Sequence, residues 1–207
     1  MSAPTHPLQV RDYRLIWLTR FFSVSATNAM VVVIGAQVYQ SARIEYGMVK
    51  AEPAFLLGVL GMEQFLPYML LTPVAGLVAD RMDRRYVAAV ASAIDLLIAL
   101  VLGAANAFDA LSLPLLFSMA AVYGAARVFI GPAVSAITPN VVPAELLPKA
   151  IATSSIAWQA GAVIGPALGG FMLAHDTALP YWYSAVVLLS AIGAVLAINH
   201  RAPPAAS

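Results

Sequence analysis

The sequence predicts an all-α integral membrane protein with six transmembrane helices. Of its 207 residues, 61% are hydrophobic and only 10% are charged, whereas average soluble domains carry about 25% charged residues. Too few polar side chains therefore remain to cover a water-facing surface. A spanning helix needs about 20 mostly apolar residues, and the chain has room for six such segments joined by short loops. The basic residues also sort to one side of a six-helix arrangement.

The first half of the chain contains three of the predicted helices. The first, residues 13–39, is too long for the apolar core of a secretory signal, which has about 7–15 residues, so we expect it to be retained. A charged loop, residues 41–53, follows it. The second helix, residues 54–79, ends in the densest charge cluster of the chain, residues 80–85. The third helix is predicted at residues 86–106.

The second half repeats this pattern with three further helices. The fourth is predicted at residues 113–137, and a loop with several prolines, residues 138–148, follows it. The fifth, residues 149–174, is rich in glycine, and the sixth covers residues 180–199. The helical part, residues 13–199, thus lies between an N-terminal segment, residues 1–12, and a polar tail, residues 200–207.

The distribution of arginine and lysine predicts the orientation. Seven of them lie on one side of this arrangement: Arg11, Arg14, Arg81, Arg84, Arg85, Lys149 and Arg201. The other side holds Arg43 and Lys50. Because the side richer in basic residues is retained in the cytoplasm, both termini are expected to be cytoplasmic. The chain is then a multi-pass plasma-membrane protein, in bacteria an inner-membrane protein.

Several functional classes are excluded by composition. The net charge of +1 provides no basic surface for a nucleic acid. Without cysteine there is no thiolate ligand or nucleophile, and His6, His175 and His200 are too far apart in sequence to suggest a zinc site. No phosphate-binding glycine loop of an ATP-driven pump is present, and no serine has a nearby histidine base. We expect neither enzymatic activity nor a cofactor.

The charge cluster after the second helix forms part of a longer motif. Gly76 is followed after three residues by Asp80 and Arg81, and then by Arg84 and Arg85. A membrane anchor explains the arginines but not the fixed offset of the glycine and the aspartate. The arrangement resembles the signature between helices two and three of the major facilitator superfamily of transporters. In that family it is a gating motif.

A second motif lies in the fourth predicted helix, where Arg127 precedes Gly131 by four residues. A charge in the bilayer costs about 2.5–3.5 kcal/mol, so Arg127 should face the bundle interior and have a partner. The spacing is similar to the family's fourth-helix motif, whose arginine is linked to proton coupling or substrate charge. The alternative is a structural ion pair with Asp95 or Glu63.

A third motif consists of glycines in the fifth helix. Gly161, Gly165 and Gly169 are four residues apart and form a strip along one side, next to Pro166 and Gly170. The pattern resembles the fifth-helix signature of the superfamily's antiporters, although a generic packing strip is the alternative. A short echo, Pro73–Gly76 against Pro166–Gly169, fits the inverted three-plus-three repeat of such transporters.

Polar residues inside the predicted helices are candidates for handling charge and substrate. Asp95 lies roughly 14 Å into the third helix, near mid-membrane, and Glu63 lies nearer the outer side. Both carboxyl groups are candidate proton carriers, and Arg20 and Arg127 are further charge candidates; simple pairing with these arginines is the alternative. The predicted cavity lining is a stripe of Arg20, Thr27 and Asn28 together with Gln159, with packing polarity as the competing interpretation.

The resemblance covers nearly the whole chain and is strongest to the drug and siderophore (enterobactin) exporter branch. It implies proton-coupled efflux of a small molecule across the lipid bilayer. Family members usually have twelve helices in two halves, and this chain resembles the first half. We therefore expect a partner, either a second copy in a homodimer or a separate six-helix half, packed against the glycine strip and the loop with Asp80. The alternative is a non-transporting membrane protein, either a structural partner or an inactive fragment.

Overall fold

The structure, a computed structural model, describes residues 4–44, 46–49 and 51–198, with the side chains of residues 79 and 80 excepted. The described residues form six long helices, all of them long and apolar enough to cross a membrane. These are α1 (Arg11–Ile44), α2 (Ala51–Arg81), α3 (Arg84–Ala107), α4 (Leu113–Ile137), α5 (Leu147–Leu173) and α6 (Leu179–Leu196). The predicted all-α fold with six spans is confirmed.

The connection between α1 and α2 is shorter than the predicted loop at residues 41–53. Arg43 lies in the last turn of α1 and Glu52 in the first turn of α2, so both were wrongly placed in the loop. The backbone stays helical beyond the apolar segment because a helix satisfies its own hydrogen-bonding groups. Pro53 is tolerated because it lies in the first turn of α2, where no intrahelical donor is needed. Gly47, with φ 62°, makes the turn. Residues 45, 50 and 199–207 lie outside the description.

The core is built around α1, which packs against α2, α4, α5 and α6. On the other side of the bundle, α3 packs against both α4 and α6. Small residues keep these helices close: Ala26, Ala29 and Ala42 of α1 are fully buried. In contrast, α2 buries little of its surface and presents large side chains such as Phe65 and Leu70 outward.

The glycine strip of α5 packs against α1 within this chain. A Cβ atom at Gly161 would lie 2.9 Å from the carbonyl oxygen of Phe21, and one at Gly165 would overlap the backbone of Ser25. We expected this strip to contact a second six-helix half; instead, α1 fills it, because small residues allow neighbouring backbones to approach closely. Gly170 is exposed, and a Cβ there would meet no described atom within 4 Å.

Buried hydrogen bonds join the helices at both ends of the bundle. Where α1 begins, the Tyr13 hydroxyl donates to the carbonyl of Ala150 at 2.6 Å. At the opposite end, the buried Gln37 side chain donates to Asn106 Oδ1 and accepts from the Tyr181 hydroxyl, both at 2.6 Å. These contacts connect α1 to α5 at one end, and to α3 and α6 at the other. A cavity lies between these two ends.

Candidate functional site: a cavity at mid-bundle

A cavity of about 240 Å³ lies in the middle of the bundle and receives side chains from α1 to α5. We call it the central cavity. Its polar lining consists of Arg20, Ser23, Thr27, Asn28, Asp95 and Arg127, and its aromatic lining consists of Tyr68 and Trp158. Five helices thus bring together groups that are as much as 138 residues apart in sequence.

Asp95 of α3 lines this cavity and is fully buried. Neither of its carboxylate oxygens has a hydrogen-bond partner in the described structure, and no arginine or lysine there lies within 4 Å. Burying a charge without a partner is costly, so proteins rarely retain such a group for stability alone. Buried ionisable groups that line a cavity and lack hydrogen-bond partners are typical of functional sites.

Arg127 of α4 faces the same cavity from the neighbouring helix and is solvent-exposed in this chain. Its guanidinium carbon lies 6.0 Å from the ring centre of Tyr123, at the outer limit of a cation–π contact. It interacts electrostatically with Asp95, but within the described residues it forms no ion pair with Asp95 or Glu63. The predicted structural ion pair is therefore not formed here.

Gly131 follows Arg127 by one helical turn on the same cavity wall. A Cβ at this position would meet no described atom within 4 Å. The glycine therefore widens the cavity beside the guanidinium rather than allowing two helices to touch.

Arg20 connects three helices as well as lining the cavity. Its guanidinium donates to the Ser154 hydroxyl of α5 at 2.5 Å and to the Ser135 hydroxyl of α4 at 2.7 Å. Both partners are neutral, so the hydrogen bonds are satisfied while the positive charge remains uncompensated. The two serines were not singled out from the sequence, because no local pattern relates them to an arginine more than a hundred residues away.

Of the three predicted cavity residues, Thr27 and Asn28 line the cavity and Gln159 does not. The Thr27 hydroxyl donates to the Ser23 carbonyl, and the Asn28 amide donates to the Val24 carbonyl, both at 2.8 Å. Gln159 is exposed on α5, whereas the adjacent Trp158 lines the cavity. Successive helical residues point in different directions around the axis, so Trp158 faces the cavity and its neighbour Gln159 does not.

Glu63 of α2 stands apart from this group. It is partly buried, and its Oε2 has no described hydrogen-bond partner. It does not belong to the lining of the central cavity. The structure therefore brings Asp95, Arg127 and Arg20 together and leaves Glu63 outside.

The motif between α2 and α3 makes contacts within this chain. Asp83 caps the first turn of α3 by accepting from the Arg85 amide at 3.0 Å, and its carboxylate pairs with the Arg85 guanidinium at 2.9 Å. Arg84 donates to the carbonyl of Ala136 at the end of α4, and Arg85 donates to the carbonyl of Ile198 after α6. Cations are favourable at helix C-termini, so these two arginines hold two helix ends.

The other positions of that motif leave a face without neighbours in the described part of the chain. Gly76 is exposed, and a Cβ there would meet no described atom within 4 Å. Arg81 is exposed as well. The side chain of Asp80 lies outside the described residues.

Within the described residues, no group of three or more His, Asp or Glu side chains could hold a metal ion.

Comparison with known proteins agrees with these features. The family model described as Major Facilitator Superfamily matches residues 16–207. An uncharacterized MFS-type transporter of Mycobacterium bovis is 35% identical over 156 residues, which cover 72% of this chain and 33% of the relative. The Macrolide efflux protein A of Streptococcus pyogenes is 26% identical over 182 residues, covering 87% of this chain and 43% of the relative.

The Multidrug resistance protein 1 of Bacillus subtilis is 27% identical over 132 residues, which cover 63% of this chain and 33% of the relative. The chain thus spans between a third and somewhat less than half of the length of these curated relatives. Its six apolar helices and the match of the family model to almost its whole length show that this multi-pass membrane protein belongs to the major facilitator superfamily of transporters.

Proposed function

We propose that the chain is one six-helix half of a proton-coupled exporter of small molecules. In this proposal Asp95 carries the proton and Arg127 responds to its charge. The observation that carries it is the position of Asp95, fully buried at a cavity and without a hydrogen-bond partner in the described structure. A merely structural aspartate would be expected to have donors around it.

The proposed coupling uses the pair of charges directly. When Asp95 is ionised, its charge attracts the neighbouring guanidinium of Arg127. When Asp95 is protonated, Arg127 is released to the cavity. Binding and release of one proton therefore change the charge that a substrate meets, which is the requirement for exchanging a proton against a substrate. The names of the relatives, macrolide efflux and multidrug resistance, support export as the direction.

We further propose that transport requires a second six-helix half, supplied by a second copy or by a separate chain. Arg127 and Gly131 are exposed beside the cavity, and α2 leaves most of its apolar surface uncovered. One half encloses a cavity on one side only, so a partner would complete its wall. In this proposal the chain lies in the bacterial inner membrane, and both of its termini face the cytoplasm, as the distribution of arginine and lysine predicts.

The test is uptake driven by a pH gradient into everted membrane vesicles, with ethidium and a radiolabelled macrolide as probes. Vesicles are prepared with the chain alone and with any six-helix chain encoded beside it. Accumulation should collapse in Asp95→Asn and Arg127→Ala, and persist in the matched controls Asp109→Asn and Arg14→Ala, which lie outside the cavity. If both cavity variants accumulate the probes normally at equal expression, the proposed roles are refuted.

A further inference from the structure

Two buried hydroxyl groups share with Asp95 the lack of a hydrogen-bond partner. Ser23 of α1 is 2% exposed and Ser92 of α3 is 0% exposed, and neither Oγ atom has a partner in the described structure. Among the described residues, only Glu63 joins these two serines and Asp95 in having a buried side-chain oxygen without a partner. Burying a hydroxyl without a hydrogen bond is unfavourable, so the two serines require an explanation.

Other hydroxyl groups of the bundle bond to the backbone of their own helix. The Thr27 hydroxyl donates to the Ser23 carbonyl at 2.8 Å, and the Ser190 hydroxyl donates to the Val186 carbonyl at 2.9 Å. A bond to the carbonyl four residues earlier is a common way for a helix to satisfy a serine or threonine side chain. The side chains of Ser23 and Ser92 do not form it, so their hydroxyls are available to another partner.

The two serines and the aspartate lie in a polar layer between two apolar clusters of the core. One cluster contains Ala26 of α1 and Ile98 of α3, and the other contains Ile16 of α1 and Ala89 of α3. The unpartnered side chains fall between these positions on both helices. The core thus places them at one depth of the bundle, although they come from different helices.

The three side chains are arranged around the central cavity. Ser92 precedes Asp95 by three residues, which places both on one face of α3. Ser23 lines the central cavity from α1, and Asp95 lines it from α3. No direct hydrogen bond joins either serine to the carboxylate in the described structure. Buried water bridges groups of this kind, because it makes about three hydrogen bonds to polar atoms that otherwise lack partners.

We propose that Ser23, Ser92 and Asp95 hold a bound water molecule that delivers the proton to Asp95. Ser92 positions this water against the carboxylate, and Ser23 connects it to the water of the central cavity. The bound water gives a proton to a carboxylate oxygen and regains one from the cavity water, so only O–H bonds break and form. Both serines are positioning residues. This rests on the proposed function, since it describes how the proton reaches the same carboxyl group.

Transport of the radiolabelled macrolide in the everted vesicles tests the role of the serines. Two modes are compared in each variant: accumulation driven by a pH gradient, and exchange of labelled for unlabelled macrolide without a gradient. Ser23→Ala and Ser92→Ala should slow accumulation about 5-fold, as expected for one lost hydrogen bond, and change exchange less than about 2-fold. A hydroxyl that only supports packing would slow both modes equally, which would contradict the proposal. Ser190→Ala, whose exposed hydroxyl bonds its own helix, should affect neither mode.

A conservative pair separates the hydroxyl from the space that it fills. Ser23→Thr and Ser23→Val add similar bulk, but only threonine keeps the hydroxyl. Accumulation should be about 5-fold faster in the threonine variant than in the valine variant. Equal accumulation in the two variants would argue against the hydroxyl of Ser23 as a connection to the bound water.

Infrared difference spectra of the purified full-length chain in nanodiscs, recorded between acid and alkaline pH, detect the water without any need for transport. A water O–H band that shifts in water labelled with heavy oxygen should be present in the original chain and in Ser190→Ala. It should be lost or displaced in Ser23→Ala and Ser92→Ala. Spectra that both of these variants leave unchanged would overturn the proposal, whatever the transport result.

Failure of this proposal is distinct from failure of the proposed function. If Asp95→Asn loses accumulation while Ser23→Ala and Ser92→Ala accumulate within about 2-fold of the original chain, the water site fails and Asp95 keeps its role. If Asp95→Asn accumulates the macrolide normally, the proposed function fails, and delivery of the proton through the serines fails with it.

Discussion

Arg127 and Asp95 line one cavity from neighbouring helices without forming an ion pair. Asp95 is fully buried without a hydrogen-bond partner in the described structure, and Arg127 is exposed toward the cavity. A permanent salt bridge would hold both side chains in their charged forms. Without one, Asp95 can gain or lose a proton, and the guanidinium of Arg127 can respond to the change in charge.

Asp95→Asn should leave the chain at least as stable as the original. The carboxyl oxygens make no described hydrogen bonds, so the amide loses none of them and removes the cost of burying a charge. The melting temperature in detergent, followed by tryptophan fluorescence, should stay equal or rise. A marked drop would show that Asp95 has structural partners. Ser184→Ala, which removes a buried hydroxyl bonded to the Pro180 carbonyl, provides a control of comparable burial.

Gly165→Ala should destabilise the bundle, because its Cβ would overlap the backbone of Ser25 on α1. Overpacking of this kind costs about 1–3 kcal/mol. Gly170→Ala is the matched control on the same helix, since its Cβ meets no described atom within 4 Å. Size-exclusion chromatography and melting temperature should separate the two. Equal behaviour of both variants would mean that α1 does not fill the glycine strip.

Tyr181→Phe should weaken the end of the bundle opposite the start of α1. It removes the hydroxyl that donates to Gln37 Oε1 and leaves a buried acceptor without that donor, at a cost of about 1–3 kcal/mol. Tyr46→Phe, at an exposed position, should have no effect beyond about 0.5 kcal/mol. Hydrogen exchange at the ends of α1 and α6 should rise in the first variant alone. Protection unchanged from the original chain would argue against this connection.

Arg20→Lys should lower stability although it keeps the charge. The planar guanidinium reaches Ser135 and Ser154 at once, and a single ammonium cannot reproduce that fork. We expect a loss of about 1–2 kcal/mol, measured as a lower melting temperature. Arg14→Lys is the matched control at an exposed site. A lysine variant as stable as the original would leave Arg20 a role in the cavity charge alone.

The sequence predicted the fold because the constraints of a membrane are local. Segment length and composition give the six helices, and the positions of Asp95 and Arg127 inside them suggest a buried charged site. Which helix packs against a given face of another helix could not be predicted. The spacing of Gly161 and Gly165 indicates a flat strip but not that α1 fills it. The sequence also does not show that Trp158, rather than the predicted Gln159, faces the cavity.

The same limit applies to Arg20. Its partners, Ser135 and Ser154, lie on helices far away in sequence, and no local pattern distinguishes them from other serines in apolar segments. Packing between helices decides such contacts, and it depends on the rotation of each helix about its axis.

The central claim is that Asp95 carries the proton. Its most direct test compares two transport modes in proteoliposomes of the Asp95→Asn variant: accumulation driven by a pH gradient, and exchange of labelled for unlabelled substrate without a gradient. We expect accumulation to be lost while exchange continues, because the alternating movement remains and only the proton site is gone. Accumulation equal to that of the original chain, in response to the same pH gradient, would contradict it.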